Sequence, residues 1–399
     1  MAEASAVRQR RPWWQAAVLA AAALLSGCQT IVPRRGPQAP PPPVQAPAPT
    51  QPRPVQPGIP EDNERHRVAL LLPLSGANAG VGRSLANATQ MALLDANAQR
   101  VRITNYDTAS SAVAAAQRAI ADGNRLIIGP LLAEDVRAVA PIARTARVPV
   151  ISFSNDTSVA GRGAYIMGYT PAQSIERVVS FARQRGATSF GGLIPNGLYG
   201  ERASTSFLRA VEQAGGQVVS LQTYDRSTAS VNQAVARLVE RAPYQAVLVA
   251  DAAATASTAA PALKRGAGPS VRLLGTELWN TDTALNTRSA LNGAWFASVS
   301  DTLYRQFAQR YRARFGAAPY RLATLGYDAV LLTVRIARDW RVGDSFPEAR
   351  LTDRDGYAGI DGPFRFDREG VAERALEVSE VRDGQVVTVS PAPKAFSGN

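Results

Sequence analysis

Apolar residues along this chain fall into short unbroken runs, and amphipathic stretches separate one run from the next. Val68 to Leu74 is apolar throughout, and after Ser75-Gly76 the apolar positions take helical spacing from about Val81 to Ala98. The alternation continues with a strand-like run over Val101 to Tyr106 and a helical pattern over Ala112 to Ala121. Leu126 to Ile128 follows as a short strand closed by Gly129-Pro130, then a helix near Asp135 to Ala146 and a strand over Val148 to Phe153. Runs with no polar alternation belong in sheets covered on both faces, and helices between them predict parallel strand order.

The same rhythm restarts after Thr170. Helices are expected over Ala172 to Arg185, Ala203 to Ala214 and Val231 to Arg241, with strands over Phe190 to Ile194, Gln217 to Gln222, Ala246 to Ala250 and Val271 to Leu274. Leu303, Phe307, Tyr311 and Phe315 recur every four residues, as one buried helix face requires. Arg382-Asp383-Gly384 between two alternating runs predicts a hairpin. The fold class is therefore α/β, with enough chain for two lobes.

The first 66 residues follow other rules. Arg8, Arg10 and Arg11 precede Trp13 to Leu25, which is apolar except for Gln15 and too short to span a bilayer alone. Cys28, the sole cysteine, directly follows Leu25-Ser26-Gly27, and the tetrapeptide resembles a bacterial lipobox. Residues 1–27 are thus expected to be a lipoprotein signal peptide, with Cys28 the lipidated residue. In that family Gln29, rather than aspartate, implies sorting to the outer membrane, facing the periplasm. Residues 28–66 form the linker: 12 of the 27 prolines lie between Pro33 and Pro60. Such a stretch builds no core, and at about 3.1 Å per residue it reaches on the order of 100 Å.

Composition removes most chemistries. The net charge of +12 suggests nucleic acid at first sight, but Lys264 and Lys394 are the only lysines among 44 basic residues. The arginines are scattered instead of striped with aromatics, and an exported chain does not meet nucleic acid. His66 is the only histidine, so no Ser-His-Asp triad and no His/Cys zinc site can be assembled. No glycine precedes a lysine, which excludes a P-loop, and Gly76, Gly80 and Gly82 do not make a dinucleotide fingerprint. Asp353, Asp355 and Asp361 lack the spacing of a calcium loop. The expectation is a protein without enzyme activity and without a cofactor.

Six ordered stretches carry a family likeness. They are Leu72-Pro-Leu-Ser-Gly76, Ile127-Ile-Gly-Pro130, Val148-Pro-Val-Ile-Ser152, Tyr199-Gly200, Gly326-Tyr-Asp-Ala329 and Gly362-Pro-Phe-Arg-Phe-Asp367. Together they resemble the type I periplasmic binding proteins of the Leu/Ile/Val-binding group. The resemblance implies two Rossmann-like lobes over 67–399, joined by three crossings around a ligand cleft. Lobe 1 would take about 67–169 and 298–345, lobe 2 about 170–297 and 346–399. Strand ends collect ligands in such sheets, which makes Ser75, Gly76, Ser154, Asn155, Asp156, Tyr199, Glu277 and Trp279 the candidate cleft residues.

The chain departs from amino-acid-binding relatives, whose small hydroxyl residues after the third and fourth strands hold a carboxylate. Here those stretches read Leu131-Leu-Ala-Glu134 and Phe153-Ser-Asn-Asp156, while Glu277 fits the position that pairs an amino group. Lipobox, proline-rich arm and leucine-binding-like domain together resemble the penicillin-binding protein activators. That resemblance implies an outer-membrane lipoprotein regulating a peptidoglycan synthase through protein contact. The alternative is a substrate-binding lipoprotein of an ABC importer for amino acids or similar small polar ligands.

Overall fold

The computed structural model describes residues 64–396. The leader, Cys28 and the proline-rich arm lie outside the described residues. Lobe 1 is built on a parallel five-stranded sheet of order β2-β1-β3-β4-β5. Its strands are β1 (His66–Leu72), β2 (Val101–Asp107), β3 (Leu126–Ile128), β4 (Val150–Ser152) and β5 (Ala164–Ile166). The unbroken apolar run of β1 has a direct consequence. Val68, Leu70 and Leu72 face one core with Leu85 and Leu325, whereas Ala69 and Leu71 face another with Ala116 and Val139. Helices α1 (Ala79–Asp95) and α9 (Ala323–Ile336) cover the first face; α2 (Ala112–Ala121) and α3 (Ala133–Thr145) cover the second.

Lobe 2 carries a seven-stranded mixed sheet of order β15-β14-β10-β9-β8-β6-β7. The parallel part comprises β6 (Ser189–Pro195), β7 (Gln217–Tyr224), β8 (Ala246–Val249), β9 (Arg272–Gly275) and β10 (Trp295–Ser298). Helices α4 (Pro171–Gln184) and α5 (Leu198–Gln213) pack on one face. On the other lie α6 (Thr228–Val239) and α7 (Ala253–Gly266). The antiparallel hairpin β14 (Glu377–Arg382) and β15 (Gln385–Ser390) completes the edge. Its two-residue turn places Asp383 and Gly384 at φ of 47° and 76°, the left-handed pair that an Asp-Gly hairpin turn uses.

The chain crosses between lobes three times: from β5 to α4, from β10 to α8 (Thr302–Phe315), and between Arg374 and Glu377. Of the face predicted from Leu303, Phe307, Tyr311 and Phe315, Phe307 and Tyr311 of α8 are buried against Ala88 and Tyr327 and Phe315 packs partly against them, whereas Leu303 is exposed in the first turn. One boundary differs from the sequence reading, which gave 346–399 to lobe 2. Phe346, Leu351, Tyr357, Phe364 and Phe366 instead share the core beneath α9 with Val68 and Leu70. Tyr357, Phe364 and Phe366 belong to a small antiparallel sheet of β11 (Tyr357–Gly359), β12 (Gly362–Phe366) and β13 (Ala372–Arg374), and Phe346 and Leu351 lie in the segment leading to it. An alternating apolar run shows that a strand forms but not which helix it will meet. Only β14 and β15 join lobe 2.

Candidate functional site

The crossings converge on a small cavity. Tyr169-Thr170, Ser298-Val299, Arg374 and Leu376 form its sides, with Arg321 from just before α9, Gln173 and Ser174 from α4, and Glu277, Asn280 and Thr281 from the loop after β9. Its volume is about 20 Å³, enough for roughly one water. A wider groove of about 950 Å³ shares Asn280, Thr281 and Arg321 with it and continues along Trp279, Tyr304 and Tyr320.

Lobe 1 supplies a buried charge cluster. Arg321 Nη1 donates to Asp361 Oδ1 at 2.8 Å and to Thr324 Oγ1 at 3.1 Å. Thr324 donates to Asp361 Oδ2 at 2.7 Å, and the Tyr169 hydroxyl donates to the same oxygen. Burial pushes the Asp361 carboxyl up, but Arg321 and then Arg374 outweigh it and hold the carboxyl below the usual aspartate range. Arg374 donates to the Met167 carbonyl at 2.9 Å, while its nearest acid, Asp328, lies 3.9 Å away. The Asp328 carboxyl is pushed up to about 7, first by burial and then by the Asp361 carboxylate.

The donors outnumber the acceptors. Arg321 Nε and Nη2 and Arg374 Nε and Nη1 are buried without a hydrogen-bond partner among the described residues. Asp301 is 3.3 Å from Arg321 Nη2, but the pair is poorly aligned and Asp301 is partly in solvent. A buried donor left unpaired costs about 1–3 kcal/mol, more when charged, so the cluster holds guanidinium N–H groups whose hydrogen bonds its own acids do not supply. Tyr304 lies beneath the Arg321 guanidinium, with 4.2 Å between guanidinium and ring centroid. Lobe 2 faces this with a carboxyl. Ser174 donates to Glu277, and the Tyr199 hydroxyl donates to it at 3.1 Å. Burial raises the Glu277 carboxyl above its usual value despite these hydrogen bonds.

The eight residues predicted from strand ends separate into groups. Glu277 lines the cavity, and Tyr199 stands one hydrogen bond behind it. Trp279 borders the wider groove yet is fully buried: its indole N–H donates to the Asp251 carbonyl at 3.1 Å, and a Cβ at Gly275 would overlap its ring. Ser75 donates to Asp107 at 2.7 Å, and Gly76 sits in a turn at φ 71°. The Ser154 hydroxyl accepts from the Asp156 amide at 3.1 Å, and Asn155 is exposed. None of these four lines the cavity or the wider groove.

Asp156 links the lobes. It accepts from Arg202 of α5 and stands 3.4 Å from Arg137 of α3. Burial alone would raise its carboxyl, but hydrogen bonds from Ser158 and Arg202 hold it below the ordinary value. Sequence reasoning missed Arg321, Arg374, Tyr169 and Ser174 altogether. It noticed Asp361 only as a failed calcium ligand, whereas the carboxylate accepts from Arg321. Among the described residues no group of three or more His, Cys, Asp or Glu side chains gathers to hold a metal.

This geometry, two α/β lobes with helices on both faces of each sheet, joined by three crossings around a small cavity, can be set beside known proteins. A profile of the periplasmic binding proteins matches residues 66–385. The chain belongs to that family. Membership suggests a periplasmic location, and the family's members are binding proteins. A putative branched-chain amino acid ABC transporter structure from Rhodospirillum rubrum superposes with a TM-score of 0.73 at 24% identity, over 82% of this chain and 100% of that one. A solute binding protein from Rhodopseudomonas palustris, in complex with 3,4-dihydroxybenzoic acid, gives 0.65 at 19%, over 84% and 98%. LivJ from Streptococcus pneumoniae, in complex with isoleucine, gives 0.60 at 17%, over 82% and 100%. An uncharacterised protein of Rickettsia prowazekii is 22% identical over 184 residues, 46% of this chain. The chain spans about half the length of that curated relative, 49%.

Proposed function

We propose that this member of the family is the solute-binding component of an ABC importer, taking a small organic solute between its lobes. The observation that carries the reading is the hinge cavity, where buried guanidinium donors without partners on lobe 1 face a carboxyl on lobe 2. A bound solute that satisfies both sides favours the closed arrangement and gives a permease something to recognise. Structural relatives solved with isoleucine or an aromatic acid support the choice. The strand-end loops contribute less, because Ser75 and Ser154 already use their hydroxyls within lobe 1.

A thermal-shift screen of amino acids and small aromatic acids tests this. One solute should raise the unfolding temperature in a dose-dependent way; a flat response across the panel refutes solute binding. The leader and proline-rich arm favour a second reading, a Cys28-acylated outer-membrane lipoprotein that regulates a peptidoglycan synthase. Membrane fractionation with co-purification separates the two: a synthase recovered with the anchored protein supports the second, and a permease supports the first.

A further inference from the structure

We infer that the hinge cavity is the anion end of an elongated solute site, taking the carboxylate of an apolar-bodied monocarboxylic acid between Arg321 and Arg374. The inference rests on the solute-binding reading above and names the solute class. Three observations carry it. Both arginines line the cavity, their side chains 7% and 2% exposed, and each holds two buried nitrogens with no hydrogen-bond partner among the described residues, Asp301 standing 3.3 Å from Arg321 Nη2 as an ion pair. A carboxylate has two coplanar acceptors and suits the fork of a guanidinium.

Neighbouring acids do not fill that role. The Asp361 oxygens are occupied by Arg321, Thr324 and Tyr169; Asp328 gives one oxygen to the Ile360 amide and leaves the other beyond hydrogen-bond reach of Arg374. The third observation concerns the solute's body. Arg321 stands in the wall of both the small cavity and the groove of about 950 Å³, a size typical of organic ligands. Beyond Arg321 the groove has an apolar side of Leu285, Phe296, Tyr304, Tyr320 and Val386, set against polar residues that include Asp282, Asp301 and Arg305. A head group seated at the arginines leaves the rest of the solute in that groove. The cavity holds roughly one water as it stands, so loading requires the lobes to part and reclose on the carboxylate. Anion recognition is thereby assigned to the hinge, away from the loops after β1 and β4.

Calorimetry with benzoate, 4-hydroxybenzoate and hexanoate, each paired with its neutral primary amide, tests the inference on the unaltered protein. At least one acid should bind, and its amide should bind about 10- to 100-fold more weakly. Arg321→Gln and Arg374→Gln, each checked for native circular dichroism, should abolish the preference for acid over amide. Equal binding of acid and amide overturns the anion site while leaving solute binding intact. So does an acid whose affinity is untouched in both variants. Failure of every acid, amide and amino acid overturns the solute-binding reading as well.

Discussion

Replacing Arg202 by alanine should loosen the lobes without unfolding either one. Arg202 lies on α5 of lobe 2 and donates to Asp156, which follows β4 of lobe 1. The Asp156 side chain is 3% exposed and that of Arg202 23%, so solvent screens the pair only in part. A hydrogen bond to a charged group contributes about 1.5–3 kcal/mol. Arg137, at 3.4 Å but 61% exposed, would remain to share the carboxylate. The net loss should therefore be about 1–2 kcal/mol. That loss falls on the arrangement in which the lobes touch, so the ratio of closed to open molecules should drop by about 5- to 30-fold. With Cys28 replaced by serine, Leu94→Cys and Leu208→Cys give one exposed label site on each lobe. Distances between the labels should then shift toward a longer population in Arg202→Ala. The same shift should appear in the unaltered protein as pH falls below about 4. The Asp156 carboxyl is held low in the closed state, so its contribution is present above the ordinary aspartate value and is lost on acidification. Identical distance distributions in variant and parent would refute the reasoning.

Three further outcomes follow from the packing. Asp361→Asn leaves Arg321 buried without its main counter-charge and should destabilise the protein by about 3–5 kcal/mol in urea titration; a loss under about 1 kcal/mol contradicts a buried pair. Trp279→Ala removes a fully buried indole against Phe296 and Gly275 and should cost about 3–5 kcal/mol by the same measurement. An unchanged midpoint would put Trp279 outside the core. His66, 2% exposed and stacked on Trp340, has its imidazole pKa lowered, chiefly by burial and then by Arg100. Its neutral form is favoured in the fold, so stability should be full above about pH 6.5 and decline as pH falls. His66→Phe should flatten that decline, which parallel unfolding curves at pH 7.5 and 5.5 would reveal.

The scaffold was far more legible than the site. Runs such as Val68–Leu72 and Leu126–Ile128 have one stable destination, a parallel sheet covered on both faces, and α/β order follows from helices between them. Asp383-Gly384 announced its hairpin because few other pairs accept two left-handed residues. Where the site sits depends on long-range pairing, which local patterning does not encode. Arg321 and Asp361 are 40 positions apart, and Tyr169 meets Asp361 across 192. A lone arginine after Tyr320 reads as surface charge until α9 carries it beneath the crossings. Likewise Ser75 and Ser154 follow strands as ligand-binding residues do, but the Ser75 hydroxyl bonds Asp107 at the end of β2 and that of Ser154 completes a local turn. Trp279 follows a strand too, and packing draws it into the core.

Native mass spectrometry of the protein, purified without denaturation and then incubated with each solute of the carboxylic acid panel, tests the central claim most directly. The account predicts a one-to-one adduct with a small organic acid, weakened in Arg321→Gln and Arg374→Gln. A bare polypeptide mass with every solute, in a protein whose circular dichroism shows it folded, would contradict it.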